Sequence, residues 1–187
     1  MTGYSHPAPA APVPARGRAE ETNDPLHHAK RPRAALAGPY GHPFHPILVT
    51  VPIGAWVASL VFDIVALASA DGSAFATGAT LLVAIGVIGA LVAAVFGLLD
   101  LSVIKPGTTA RSTALTHMTI NLGVTALFIA GFLVRVVPGA DEPSVAGLVL
   151  SVVGLAALGV SGWLGGKLAY RYGVRVADEG TQTEGFR

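Results

Sequence analysis

Four long apolar runs fill almost the whole chain after residue 45, and they settle the fold class before any other feature is weighed. They cover roughly residues 46–70, 75–104, 113–137 and 144–170. Each exceeds the roughly 20 residues a helix needs to cross about 30 Å of hydrocarbon. Only 12% of the chain is charged, about half of what soluble domains carry, because an ionised group in lipid is costly. The connections are short and marked by turn residues: Asp71-Gly72-Ser73, Lys105-Pro106-Gly107-Thr108 and Pro138-Gly139-Ala140-Asp141-Glu142-Pro143. Short loops make successive helices antiparallel neighbours. The expected fold is all-α, an integral-membrane four-helix up-down bundle.

Residues 1–40 read as a disordered cytoplasmic tail, 41–176 as the transmembrane domain and 177–187 as a short cytoplasmic tail. The stretch Pro7-Ala8-Pro9-Ala10-Ala11-Pro12-Val13-Pro14 and the polar segment after it bury too little apolar surface to offset chain entropy. No apolar segment of secretory-signal type stands near the start, and His27-His28 reads as a solvated pair. The chain has no cysteine, which removes disulfides and cysteine-ligated clusters from its own chemistry.

Lys30, Arg31, Arg33, Lys105, Arg111, Lys167, Arg171 and Arg175 all fall on one side of the spans, against Arg135 on the other. Positive charge marks the cytoplasmic side, so both termini are expected there, in the inner membrane of a bacterium. Small residues recur at three- or four-residue spacing in span two (Gly86, Gly89, Ala93, Gly97) and span four (Gly147, Ser151, Gly154, Ser161, Gly165). Such stripes let helix backbones approach closely.

Polar residues inside the spans are few. Span one carries Pro52, expected to bend it, together with His45, Trp56, Ser59 and Asp63. Span two ends on Asp100, and span three carries His117, Asn121 and Thr125 one turn apart. Span direction puts His42, His45, Asp100 and His117 in one layer at the cytoplasmic mouth. Asp63 lies about 26 Å further along at 1.5 Å per residue, where pairing with Arg135 is expected. The four-residue layer is the candidate site: His42, His45, Asp100 and His117 as ligands of a transition metal, or His45 and His117 holding a haem iron from two sides. A His–Asp pair also serves proton relay or a quinone head group. Interfacial structure, with these groups bonding free helix ends, is the alternative.

Gly41-His42-Pro43-Phe44-His45-Pro46-Ile47-Leu48-Val49 with Pro52-Ile53-Gly54, then Gly97-Leu98-Leu99-Asp100, His117 with Asn121, and Ser161-Gly162-Trp163-Leu164-Gly165-Gly166-Lys167-Leu168-Ala169-Tyr170-Arg171-Tyr172-Gly173-Val174 resemble the family labelled domain of unknown function 2231. The resemblance covers roughly residues 40–176. It implies a four-span bacterial membrane protein without an assigned activity. Some relatives carry a Rieske-type iron–sulfur domain on the same chain, which implies a redox setting. This chain departs from them in lacking cysteine, and Tyr172 stands where the family commonly has His, which removes one potential ligand.

The functional expectation is a small redox or metal/haem-binding subunit of a membrane electron-transfer assembly. Its partners would be the lipid bilayer and a redox protein such as a Rieske-type protein, with no nucleic acid. A non-catalytic scaffold or assembly factor with structural histidines is one alternative. A small-solute or proton transporter is the other, and it calls for a midplane cavity near Ser59, Thr125 or Ser151.

Overall fold

The computed structural model describes residues 25–30 and 42–186. Among them every regular element is helical: α1 (Pro25–Lys30), α2 (Phe44–Leu48), α3 (Thr50–Ala68), α4 (Ser73–Ser102), α5 (Thr109–Val136), α6 (Val145–Gly166), a π-helical turn (Lys167–Arg171), α7 (Glu179–Thr183) and a last 3-10 turn (Glu184–Phe186). Four stretches are long and apolar enough to cross a membrane: Phe44–Ala68, Ser73–Ser102, Thr109–Val136 and Val145–Arg171. Leu81, Ile88, Val95, Leu122 and Val160 point outward, as side chains meeting lipid should.

Two helical hairpins make the bundle. The closest packing is within α3–α4 and within α5–α6, and the hairpins then meet through α4–α5 and α3–α6. Thr108 caps α5 by accepting from the Arg111 N–H (3.2 Å), and Ser144 caps α6 by accepting from the Gly147 N–H (3.0 Å). Each cap satisfies one of the orphan amides at a helix start. Span one is interrupted at Val49, between α2 and α3, rather than at Pro52 itself. Proline has no N–H for the Leu48 carbonyl one turn back. The bonds from Val49 N to His45 O and from Ile53 N to Val49 O bracket that gap.

Beside the first loop, Asp71 accepts from the Ser73 hydroxyl (2.7 Å) and the Ser73 N–H (3.1 Å). The hydroxyl above all, with the amide, holds this carboxyl below its ordinary 3.8. Its pKa is depressed in the folded chain, so its stabilising contribution is complete above the ordinary carboxylate range. That contribution is lost as pH falls through the lowered value. Ser73→Ala is expected to move the Asp71 titration upward, toward 3.8, as read by carboxyl NMR.

Most of the expected tail lies outside the described residues. Pro25–Lys30 forms α1, and Ala29 is buried with Ile104, Ala114 and Val174 at the basic end of the bundle. The chain after α6 folds back to meet it through Gly173 (φ +67°) and Arg175 (φ +59°), and the Arg175 N–H donates to the Ala29 carbonyl at 2.9 Å.

Candidate functional site

Three polar or aromatic layers cross the bundle interior, one near each end and one midway. The layer at the basic end joins both hairpins. The imidazoles of His45 on α2 and His117 on α5 lie edge to face, with ring centroids 6.4 Å apart and planes at 87°. His45 Nδ1 is 2.9 Å from the Ala93 carbonyl oxygen on α4, and His117 Nδ1 is 2.8 Å from the Ser161 carbonyl oxygen on α6. A carbonyl only accepts, so each ring carries its proton on Nδ1 and presents a lone pair on Nε2. Backbone carbonyls inside a helix are spent on its own ladder, and an imidazole reaches one only where the facing surface is low. Glycines provide that. A Cβ on Gly97 would stand 3.1 Å from the His45 ring, and one on Gly165 would stand 3.2 Å from that of His117.

Asn121, one turn beyond His117, braces this arrangement. Its amide nitrogen is 2.6 Å from Ser161 Oγ, 2.8 Å from the His117 carbonyl oxygen and 3.2 Å from His117 Nε2. An amide has two protons for these three acceptors. The shorter contacts take them, and Nε2 of His117 is the acceptor held least.

The other two candidate ligands do not join the imidazoles. Asp100 lies in the last turn of α4, at the same end of the bundle as the two rings. Its carboxylate, however, is paired with Arg175 (Nε to Oδ1, 2.9 Å). His42 is exposed ahead of α2. Among the described residues no group of three or more His, Asp, Glu or Cys side chains can hold a metal ion. Of the four candidates, the structure brings together the rings of His45 and His117. Asp100 is instead paired with Arg175, which the sequence reading counted only among the positive charges of the cytoplasmic side. A groove of about 330 Å³ opens at the same end, walled by Leu26, Ala29, Ile104 and Val174 with Lys105 and Arg171, and none of the four candidates lines it.

Midway along the bundle, Trp56 stacks on Phe128 with centroids 4.0 Å apart and planes within 3°. Val83 and Val124 close the layer around them. Ser59 is buried and donates to the Trp56 carbonyl (2.8 Å), and Thr125 donates to that of Asn121 (2.9 Å). Side chains pack the region where the transporter alternative calls for a cavity.

Near the opposite end Arg135 and Asp63 are 2% and 3% exposed. The Arg135 guanidinium donates through Nε and Nη2 to the two carboxylate oxygens of Asp63, and also to Ser151 Oγ (2.9 Å) and the Gly131 carbonyl (2.6 Å). The expected Asp63–Arg135 pair is present. Ser151, read from sequence as packing, is its third member.

A chain crossing the bilayer four times, with its few polar residues gathered into interior layers, is a multi-pass integral membrane protein. It belongs to the family described as predicted membrane protein (DUF2231), whose model matches residues 41–178. Comparisons with curated proteins and with solved structures gave no significant match.

Proposed function

We propose that this protein is a small membrane redox or metal-binding subunit that holds a haem iron or a single transition-metal ion between His45 and His117. The observation that carries this reading is the tautomer of the pair. Both Nδ1–H groups are anchored on helix carbonyls, which leaves the Nε2 lone pair of His45 for a ligand and that of His117 with only the 3.2 Å contact from Asn121 to displace. A bond from the other ring nitrogen to a backbone carbonyl is what ligating histidines almost always have. His45 and His117 are the residues that would hold the iron of a haem, or they would supply two of the donors a transition ion needs, with another molecule supplying the rest. Such a group supplies one-electron chemistry when bound. The chain's own residues orient it: Ala93 and Ser161 fix the rings, Asn121 steadies His117, and the Asp100–Arg175 pair keeps net charge away from the layer.

In this reading the basic end faces the cytoplasm of a bacterial inner membrane, by the distribution of Lys and Arg. The partner is a redox protein, of Rieske type or another, that brings the iron–sulfur cluster a cysteine-free chain cannot build. The packed midplane disfavours the transport alternative. It also favours a second reading, a non-catalytic scaffold whose histidines only join the hairpins.

Visible absorption and metal analysis of the full chain, purified from cells supplied with iron and haem precursors, separate the two. A bound chromophore or about one metal per chain is expected. His45→Ala or His117→Ala should abolish it, and His42→Ala should leave it. Asn121→Ala should weaken it about 10- to 100-fold, the usual effect of removing an outer-shell partner. A colourless, metal-free preparation overturns the redox reading in favour of the scaffold.

A further inference from the structure

The three interior layers share one arithmetic. His45 with His117, Trp56 with Phe128 and Asp63 with Arg135 are the central pairs, and the partners in each are 72 residues apart. The helices around them keep a second spacing of 68. Gly86 makes room for Trp56 as Gly154 does for Phe128, and Gly97 for His45 as Gly165 does for His117. The Ala93 carbonyl receives His45 as the Ser161 carbonyl receives His117. The buried positions of α3 at 52, 56, 59 and 63 thus recur in α5 at 124, 128, 131 and 135. Those of α4 at 79, 83, 86 and 93 recur as all the buried positions of α6. The spacings differ by four because the second hairpin is about one helical turn shorter around its distal loop.

We infer that the chain is a fused pair of equivalent hairpins, α2–α4 and α5–α6, facing each other across a pseudo-twofold axis along the bundle, and that the opposite charges at positions 63 and 135 direct each hairpin to pair with the other rather than with a copy of itself. Spans one and three run the same way, so this axis lies along the membrane normal. Residues on such an axis meet their own equivalents. The pairs do so: imidazole with imidazole, aromatic ring with aromatic ring, and at the distal end acid with base. A hairpin paired with its own copy would bury two carboxylates or two guanidiniums against each other, the strongest repulsive element available at an interface in lipid. One asymmetry has been cut to fit. Gly147 admits the guanidinium, where a Cβ would stand 2.6 Å from Arg135 Cζ, while its equivalent, the fully buried Ala79, carries a methyl, and the residue equivalent to Arg135 is the smaller Asp63.

The test exchanges equivalent residues in the full chain and reads monodisperse protein in mild detergent together with its melting temperature. Asp63→Arg alone and Arg135→Asp alone recreate the self-paired charges, and each should lower the folded yield by about tenfold or more. The triple variant Asp63→Arg, Arg135→Asp, Ala79→Gly moves the pair to its mirror position with room for the guanidinium, and should restore yield to within about twofold. The second exchange spares the charges. Phe128→Trp alone crowds the middle layer and should lower the melting temperature by several degrees. Phe128→Trp with Trp56→Phe should recover it, because Gly86 and Gly154 already match. Recovery in either exchange supports equivalence. If both are as damaging as their worse single variant, the twofold relation is wrong. If the single charge variants fold normally, the charges do not select the partner.

Discussion

Arg135→Leu with Asp63 left in place is expected to cost about 3–5 kcal/mol of bundle stability, the range for stripping one partner from a buried ion pair. The reason is the surviving carboxylate. Asp63 is 3% exposed and its oxygens face Arg135 and Ser151, so water cannot replace the lost guanidinium. At that depth the group must either bury its charge or take up a proton. The double variant Asp63→Leu with Arg135→Leu removes both charges and should recover most of the loss, since apolar replacements of a whole buried pair are often neutral or better. Ser151→Ala trims a single contact and should cost under about 1 kcal/mol, in line with interhelical hydrogen bonds in membranes. Reversible unfolding in mixed detergent, run as a double-mutant cycle, gives the coupling directly. Equal costs for the single and double variants would mean that the pair contributes packing volume rather than electrostatics.

That pair was legible in the sequence because the signal was sparse. One acid and one base stand in otherwise apolar runs at matching depth, and each needs a partner. The four spans were legible for a similar reason: length and apolarity alone decide whether a helix crosses lipid. The Asp100–Arg175 pair was not. Arg175 lies beyond the last span and reaches the mouth only because the backbone reverses through positive φ at Gly173 and Arg175. Hydropathy carries no trace of that reversal, so Asp100 was grouped with the histidines at its depth. The meeting of His45 with His117 was legible as depth, but their tautomers depend on carbonyls exposed by Gly97 and Gly165. Those glycines had been read only as close-packing residues. The internal repeat was hidden by its own economy. Most buried positions keep their size class at 72- and 68-residue spacing, Asp63/Arg135 and Val83/Ser151 apart, while the lipid-facing positions between them need only be apolar.

The middle layer gives the other large effect and the sharper sign. Trp56→Ala is expected to cost about 3–5 kcal/mol, the range for removing a large buried aromatic. In lipid this is almost wholly a packing loss, because an unfolded span would still sit among acyl chains rather than in water. The indole is 2% exposed and lies flat on Phe128, and its Nε1 is 3.4 Å from the Val83 carbonyl oxygen. Gly86 is what lets it lie there, since a Cβ at that position would come within 2.2 Å of Nε1 and 2.5 Å of Cδ1. In an open helix, Gly→Ala gains about 1 kcal/mol from propensity. At position 86 the clash opposes that gain, and Phe128 behind the ring stops it from retreating, so Gly86→Ala should be destabilising by about 1–3 kcal/mol. In the Trp56→Ala background the obstruction is gone, and the added methyl fills part of the void. There the same substitution should stabilise by about 0.5–1 kcal/mol. The reversal of sign tests the contact itself: a Gly86→Ala change with the same effect in both backgrounds would show that Trp56 does not depend on that glycine for its seat.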